Sequence, residues 1–289
     1  MTTQNPYYSN TNRSNHQAIS AIKSDGSVIS WGYSFDGGSN HSQYNSVRVE
    51  EYLNDGVVEI FESERGFAAL KSDGSVVTWG SGSQYSEQWE ENKQYLYREF
   101  AEEAGIDFIP FVSVSTTHNA FAGLREDGTV FTWGDASRGG DSQSVDLVNV
   151  SKVFSTGSAF AALKEDGSVI TWGNSNWGGS NNGGGSLIPV ENEYFSPIVD
   201  ITSNSVAFAA LKEDGTIVTW GDEYGGRGRV YRPWAHKNPV EMSDIRDELI
   251  LENNDDFSPF IGISSTMNAF AALREDGSVV SWGHFGQGG

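Results

Sequence analysis

The sequence predicts an all-β protein, a β-propeller of six blades with seven as the alternative ring size. Two observations carry that expectation. The phrase Asp-Gly-(Ser/Thr)-aliphatic-x-(Ser/Thr)-Trp-Gly recurs six times, at residues 25–32, 73–80, 127–134, 166–173, 214–221 and 276–283. Self-similarity at such a period marks a repeat architecture. Each copy also has the form of a β-hairpin, with Asp-Gly between two β-prone runs.

The shortest interval, between Trp133 and Trp172, displays the unit with least decoration. A Gly/Ser/Asp loop (135–144) leads to a predicted strand at 150–156. The run Ala159-Phe160-Ala161-Ala162-Leu163 follows and reads as a strand buried on both faces. It turns at Asp166-Gly167, where a type I′ turn with positive φ at both central residues is expected. The returning strand sends Val169 and Thr171 to one face and Ser168, Ile170 and Trp172 to the other. A unit of three to four strands cannot bury both faces alone, and radial stacking of copies buries them. Trp31, Trp79, Trp133, Trp172, Trp220 and Trp282 are then the structural repeat positions. Each is an apolar plate between blades burying on the order of 150–250 Å². The glycine after each tryptophan lets the chain turn out of its strand. Later units have an apolar strand before the hairpin, at 57–63, 111–116, 150–156, 198–203 and 260–265. The first unit has polar SNTNRSN (9–15) there, which predicts an incomplete edge or a short strand from Tyr7 and Tyr8.

The pattern A-(F)-A-A-L-(K/R)-x-D-G-(S/T)-V-x-x-W-G, followed by a Gly-rich turn, resembles the regulator-of-chromosome-condensation (RCC1) repeat family. It departs after the tryptophan, where Gly-Gly replaces the family's Asn and Gly-Gln-Leu-Gly; the final FGQGG alone echoes that form. The resemblance implies a propeller presenting loops to a protein partner. Family members include exchange factors for small GTPases, β-lactamase inhibitors and bacterial effectors. No functional residue carries over, because the matching positions are the scaffold itself, and fold alone does not assign function.

Composition narrows the function classes. The chain of 289 residues reads as one domain, 1–289, because the repeats run nearly end to end. Cysteine is absent, so disulfides, thiolate catalysis and cysteine-ligated metals are excluded. Thirty-nine acidic residues against 18 basic ones give a net charge of −21, a field that repels nucleic acid and anionic membrane. The first residues hold no apolar signal segment, and no stretch is apolar enough to span a membrane, so the expected location is cytoplasmic, virion-associated or exported by a signal-less route. The histidines His16, His41, His118, His236 and His284 share no metal-ligand spacing, and no catalytic motif occurs. The expectation is a non-enzymatic protein with no cofactor, no metal and no catalytic residue.

Insertions between the strands are the candidate binding elements. Residues 87–104 carry Trp89, Leu96, Phe100 and Ala104 at helical spacing, and residues 239–251 carry Met242, Ile245 and Leu249 behind a capped start. Both are predicted helices. Ahead of the second lies a basic-aromatic stretch with Arg227, Arg229, Tyr231, Arg232 and Trp234, residue types enriched at interface hot spots. Trp177, in a polar Gly-rich stretch, is the other partner-binding candidate, its alternative being a structural plug. The sequence thus predicts a protein-interaction or structural scaffold module, binding a partner protein through its insertions or self-assembling through its terminal blades. A glycan-binding lectin and a regulator of a small GTPase are the alternatives.

Overall fold

The computed structural model describes residues 12–15, 17–38, 51–80, 107–179, 185–186, 196–222 and 258–284. The predicted helices at 87–104 and 239–251, and Tyr7 and Tyr8, lie outside the described residues. Six separate antiparallel sheets account for the six repeats. Sheet 1 holds β1 (Asn12–Ser14), β2 (Ala18–Ile22) and β3 (Val28–Gly32); sheet 2 holds β4 (Val57–Ser63), β5 (Gly66–Lys71) and β6 (Val76–Gly80). Sheet 3 is β7 (Phe111–Thr116), β8 (Ala120–Arg125) and β9 (Val130–Gly134). Sheet 4 is β10 (Val150–Ser155), β11 (Ala159–Lys164), β12 (Val169–Gly173) and β13 (Gly185–Ser186). Sheet 5 is β14 (Ile198–Ser203), β15 (Ala207–Lys212) and β16 (Ile217–Gly221), and sheet 6 is β17 (Phe260–Ser265), β18 (Ala269–Arg274) and β19 (Val279–Gly283). Sheets 1 to 3 fall in one compact unit, Met1–Asp141, and sheets 4 to 6 in a second, Ser142–Gly289.

Two expectations need correction. The first sheet does have its outer-pairing strand: β1 runs antiparallel to β2 in the register Asn12↔Ala21, Arg13↔Ser20, Ser14↔Ile19. Ladder bonds are made by backbone groups, so a polar stretch pairs as well as an apolar one when its neighbour is in place. The hairpin turns are also not type I′. Asn149 is the one non-glycine residue with positive φ among the described residues, so every turn aspartate keeps negative φ. In sheet 4, Lys164 N–H donates to Ser168 O (2.9 Å) and Gly167 N–H donates to Lys164 O (3.0 Å). This is a three-residue loop, a type I turn closed by one left-handed glycine, here Gly167 at φ +79°. The aspartate holds it from the side chain: Asp166 Oδ1 accepts from Ser168 N–H (2.9 Å) and from Ser168 Oγ (2.6 Å).

That side-chain clamp recurs and makes the fold acid-sensitive. The serine or threonine hydroxyl two residues on holds the carboxyls of Asp25, Asp127, Asp166 and Asp276 below their ordinary value of 3.8, against a smaller opposing effect of burial. A carboxyl with a depressed folded-state pKa stabilises the fold above its unfolded pKa, and this is lost as pH falls through the folded value. Stability should therefore fall as the solution is acidified from about pH 4 downward. Asp166→Asn keeps an acceptor oxygen but cannot titrate, so its melting temperature should fall less steeply over that range than that of the wild type. Parallel pH-melting series check this; identical slopes would refute it.

Each pair of neighbouring sheets within a unit packs by one rule. The middle strand and its hairpin partner place Phe and Trp on one face and Ala, Leu and Val on the other. In sheet 2, the register Phe67↔Trp79 and Ala69↔Val77 makes the tryptophan face, while Ala68↔Thr78 and Leu70↔Val76 make the opposite, aliphatic face. The tryptophan face of sheet 2 packs on Ala18 and Val28 of sheet 1, with Leu53 and Ile60 filling the seam. Its aliphatic face receives Phe121 and Trp133 of sheet 3. Sheet 5 likewise lays Phe208 and Trp220 on Ala161, Leu163 and Val169 of sheet 4, and its own Ala209 and Ile217 receive Phe270 and Trp282 of sheet 6. The predicted burial of the Ala159–Leu163 run on both faces holds in β11, and the first four residues of β5, β8 and β15 are buried in the same way.

Backbone bonds stitch the junctions at both strand ends. Phe111 N–H donates to Gly74 O (2.8 Å), Ile198 N–H to Gly167 O (2.9 Å) and Phe260 N–H to Gly215 O (2.9 Å). At the other end Glu64 N–H donates to His118 O (2.9 Å), and Gly157 N–H to Ser205 O (2.8 Å). The first strands β4, β7, β10, β14 and β17 each carry a register shift near their start. The shift turns Val58, Val112, Val199 and Ile261 outward, where they are exposed.

Candidate functional site

Tryptophan stacking explains why most of the repeat is closed to solvent and where it is not. In five sheets the tryptophan lies against the phenylalanine opposite it on the middle strand: Phe67–Trp79, Phe121–Trp133, Phe160–Trp172, Phe208–Trp220 and Phe270–Trp282, with centroids 5.2–5.5 Å apart and interplanar angles of 9–25°. Trp79 also donates from Nε1 to the carbonyl of Gly37 (3.1 Å) in the turn that leaves sheet 1. These five tryptophans, Trp79, Trp133, Trp172, Trp220 and Trp282, are all buried.

Sheet 1 breaks the pattern. The residue opposite Trp31 is Ile19, not phenylalanine, so no ring stack forms. Trp31 is 47% exposed against 0% for Trp79 at the same motif position. Ile19 and Ile29 share that face and are exposed too. Tyr33 and Phe35, both exposed, continue the apolar surface with ring centroids 6.3 Å apart. At the far end of the chain the aliphatic face of sheet 6 is open: Val279 is 63% exposed, whereas Val169 in sheet 4 is 1% exposed. Leu273, paired with Val279 across the hairpin, is exposed as well.

Charged groups near sheets 2 and 3 form a network of ion pairs. Glu64 Oε2 lies 3.7 Å from His118 Nδ1 and 3.8 Å from Arg138 Nη1, and Arg138 Nε lies 3.6 Å from Asp135 Oδ2. His118 thus sits at a junction between neighbouring turns. Among the described residues no group of three or more His, Asp or Glu side chains is arranged to hold a metal ion.

The partner-binding residues predicted from sequence are placed unevenly. Arg227, Arg229, Tyr231, Arg232 and Trp234 lie outside the described residues. Trp177 ends a single 3₁₀ turn, Ser175–Trp177, and packs half-buried against the seam between sheets 4 and 5. Its carbonyl accepts from Thr156 Oγ1 (3.0 Å). The expected self-assembly through the terminal blades rests on an unpaired strand edge, but in sheet 1 that edge is paired and the exposed apolar residues lie on the sheet face instead. A signal was there: the first repeat reads Ala18-Ile19-Ser20-Ala21-Ile22 where the others place phenylalanine second.

No family model and no curated protein matches the chain. Solved structures do. Prp20p from Saccharomyces cerevisiae aligns with a TM-score of 0.55 at 16% identity, covering 93% of this chain and 70% of that one; its structure is described with its binding to Gsp1p and histones. Human WBSCR16 aligns with a TM-score of 0.54 at 16% identity, over 93% of this chain and 74% of its own. Yeast RCC1 (Prp20) bound to Kap60 aligns with a TM-score of 0.55 at 15% identity, over 93% and 68%. The likeness establishes the fold: the sheets are those of an RCC1-type β-propeller repeat.

Proposed function

We infer that the protein is a non-enzymatic protein-interaction module that binds through exposed apolar sheet faces. The observation that carries this reading is the tryptophan face of sheet 1, with Ile19, Ile29, Trp31, Tyr33 and Phe35 exposed, whereas the residues at the Ile19 and Trp31 positions are buried in the other five sheets. Aromatic side chains on a rigid strand surface are efficient anchors, because little side-chain entropy is lost when they are covered. The fold likeness to Prp20p, described with its binding to Gsp1p and histones, and to yeast RCC1 in complex with Kap60, adds support at the level of scaffold use.

Photo-crosslinking tests the reading. Benzoylphenylalanine in place of Trp31, in cells that make the protein, should yield a protein adduct of defined mass on irradiation. The same probe in place of Glu126, on the exposed hairpin of sheet 3, should yield none. No protein adduct at position 31, or equal adducts at both positions, would sink the reading.

A further inference from the structure

We propose that the serine or threonine two residues after each turn aspartate protects an Asp-Gly dipeptide from rearranging to isoaspartate. Six such dipeptides stand at hairpin tips, at residues 25–26, 73–74, 127–128, 166–167, 214–215 and 276–277, and all six aspartates are exposed to water. Each is a site of possible covalent self-modification, and the hairpin holds it in an unreactive form.

Asp-Gly is prone to this reaction because glycine has no side chain to crowd its backbone nitrogen. That nitrogen attacks Cγ of the aspartate. A bond forms between N and Cγ, the bond from Cγ to its hydroxyl breaks, and the hydroxyl leaves as water with the amide proton. Water then adds to the backbone carbonyl of the five-membered succinimide and reopens the ring, leaving the chain running through Cγ. The net change is an isomerisation with no gain or loss of mass, and the main chain is longer by one methylene. The closure has three requirements: a neutral carboxyl, a side chain swung over its own glycine nitrogen, and a glycine N–H released from other partners.

The hairpin opposes all three. Oδ1 of Asp25, Asp73, Asp127, Asp166 and Asp214 accepts from the N–H (2.9–3.0 Å) and the hydroxyl (2.6 Å) of the Ser or Thr two residues on, which holds the carboxylate past its own glycine. Asp276 accepts from Ser278 N–H in the same way (2.7 Å). The N–H of Gly26, Gly74, Gly128, Gly167, Gly215 and Gly277 donates to the carbonyl of the Lys or Arg three residues before it, at 2.9–3.0 Å. The attacking nitrogen is thereby engaged on the far side of the turn. Hydrogen bonding to the charged form also favours it, and the Thr129 hydroxyl holds the carboxyl of Asp127 below its ordinary value, so the neutral acid is scarce. Every one of these contacts lies within a single hairpin.

Ageing the full chain at mildly acidic pH, folded and in urea, tests the proposal. Isoaspartate at each tip is read by electron-transfer fragmentation of proteolytic peptides, which separates the two isomers of equal mass. Thr129, only partly buried, is the position to vary. Thr129→Val deletes the hydroxyl and keeps the shape of the side chain and the backbone N–H, whereas Thr129→Ser keeps the hydroxyl. In the folded Thr129→Val chain, isomerisation at residue 127 should speed up by about ten-fold, the factor for losing one hydrogen bond to a charged acceptor. Residues 73 and 166 of the same molecules should stay at the wild-type rate, and Thr129→Ser should match wild type throughout. In urea all tips should react quickly in all three chains. Three results overturn the proposal: an unchanged rate at residue 127 in Thr129→Val, a folded wild type that isomerises as fast as the chain in urea, or a rise at every tip together, which traces to unfolding and not to the lost hydroxyl.

Discussion

Trp79→Ala should destabilise the protein by about 3–5 kcal/mol, the range for removing a fully buried large aromatic. Trp31→Ala, the same change at the same motif position, should shift stability by about 0.5 kcal/mol or less. The difference is one of surroundings. Trp79 is stacked on Phe67 at 5.3 Å, donates to Gly37 O and shares a seam with Ala18, Val28, Leu53 and Ile60. Deleting it opens a cavity between two sheets and orphans a buried carbonyl. Trp31 faces Ile19 across its hairpin and solvent beyond. Urea unfolding followed by far-ultraviolet circular dichroism, at concentrations where wild type is monomeric, gives the comparison directly. Equal losses for the two variants would mean that Trp31 is covered in solution and not exposed.

The contrast between Trp31 and Trp79 also marks where sequence reading works. The hairpin is a local object: Asp166, Gly167 and Ser168 set the turn within three residues, and Trp172 falls opposite Phe160 by counting along two strands. Such features are legible because every term of the argument lies within about fifteen residues. The turn type was not, since Asp-Gly is compatible with both a two-residue and a three-residue loop, and the clamp from aspartate to serine decides between them. Which faces are covered was not legible either. Burial depends on the neighbouring sheet, some 40–60 residues away in sequence by the tryptophan spacing. The first strand illustrates the same limit: Asn12–Ser14 is polar, yet it pairs with β2. Trp177 shows it again, because the equivalent third turn position is Asp36 after sheet 1 and Arg138 after sheet 3, so side-chain type there is not part of the repeat.

Gly178→Ala should destabilise the second unit by about 3 kcal/mol, from left-handed strain and overpacking together. Gly178 sits at φ +92°, and an added Cβ would lie 2.7 Å from Phe208 Cδ2, 2.9 Å from its Cε2 and 3.2 Å from Trp220 Cδ1. The turn leaving sheet 4 is thus pressed against the ring pair of sheet 5. Gly37 stands in the same relation to Phe67 and Trp79 in the first unit, with a Cβ approach of 2.8 Å. The Gly-Gly that departs from the family's Gly-Gln-Leu-Gly is therefore a packing device: its first glycine closes the aromatic stack of the following sheet. Gly277→Ala separates the two contributions. It has φ +86° but open space at the Cβ, so only the backbone strain of about 1 kcal/mol should appear. Denaturant midpoints for the two variants should differ clearly, with Gly178→Ala the weaker. If Gly277→Ala is equally damaging, then its Cβ position is occupied in solution.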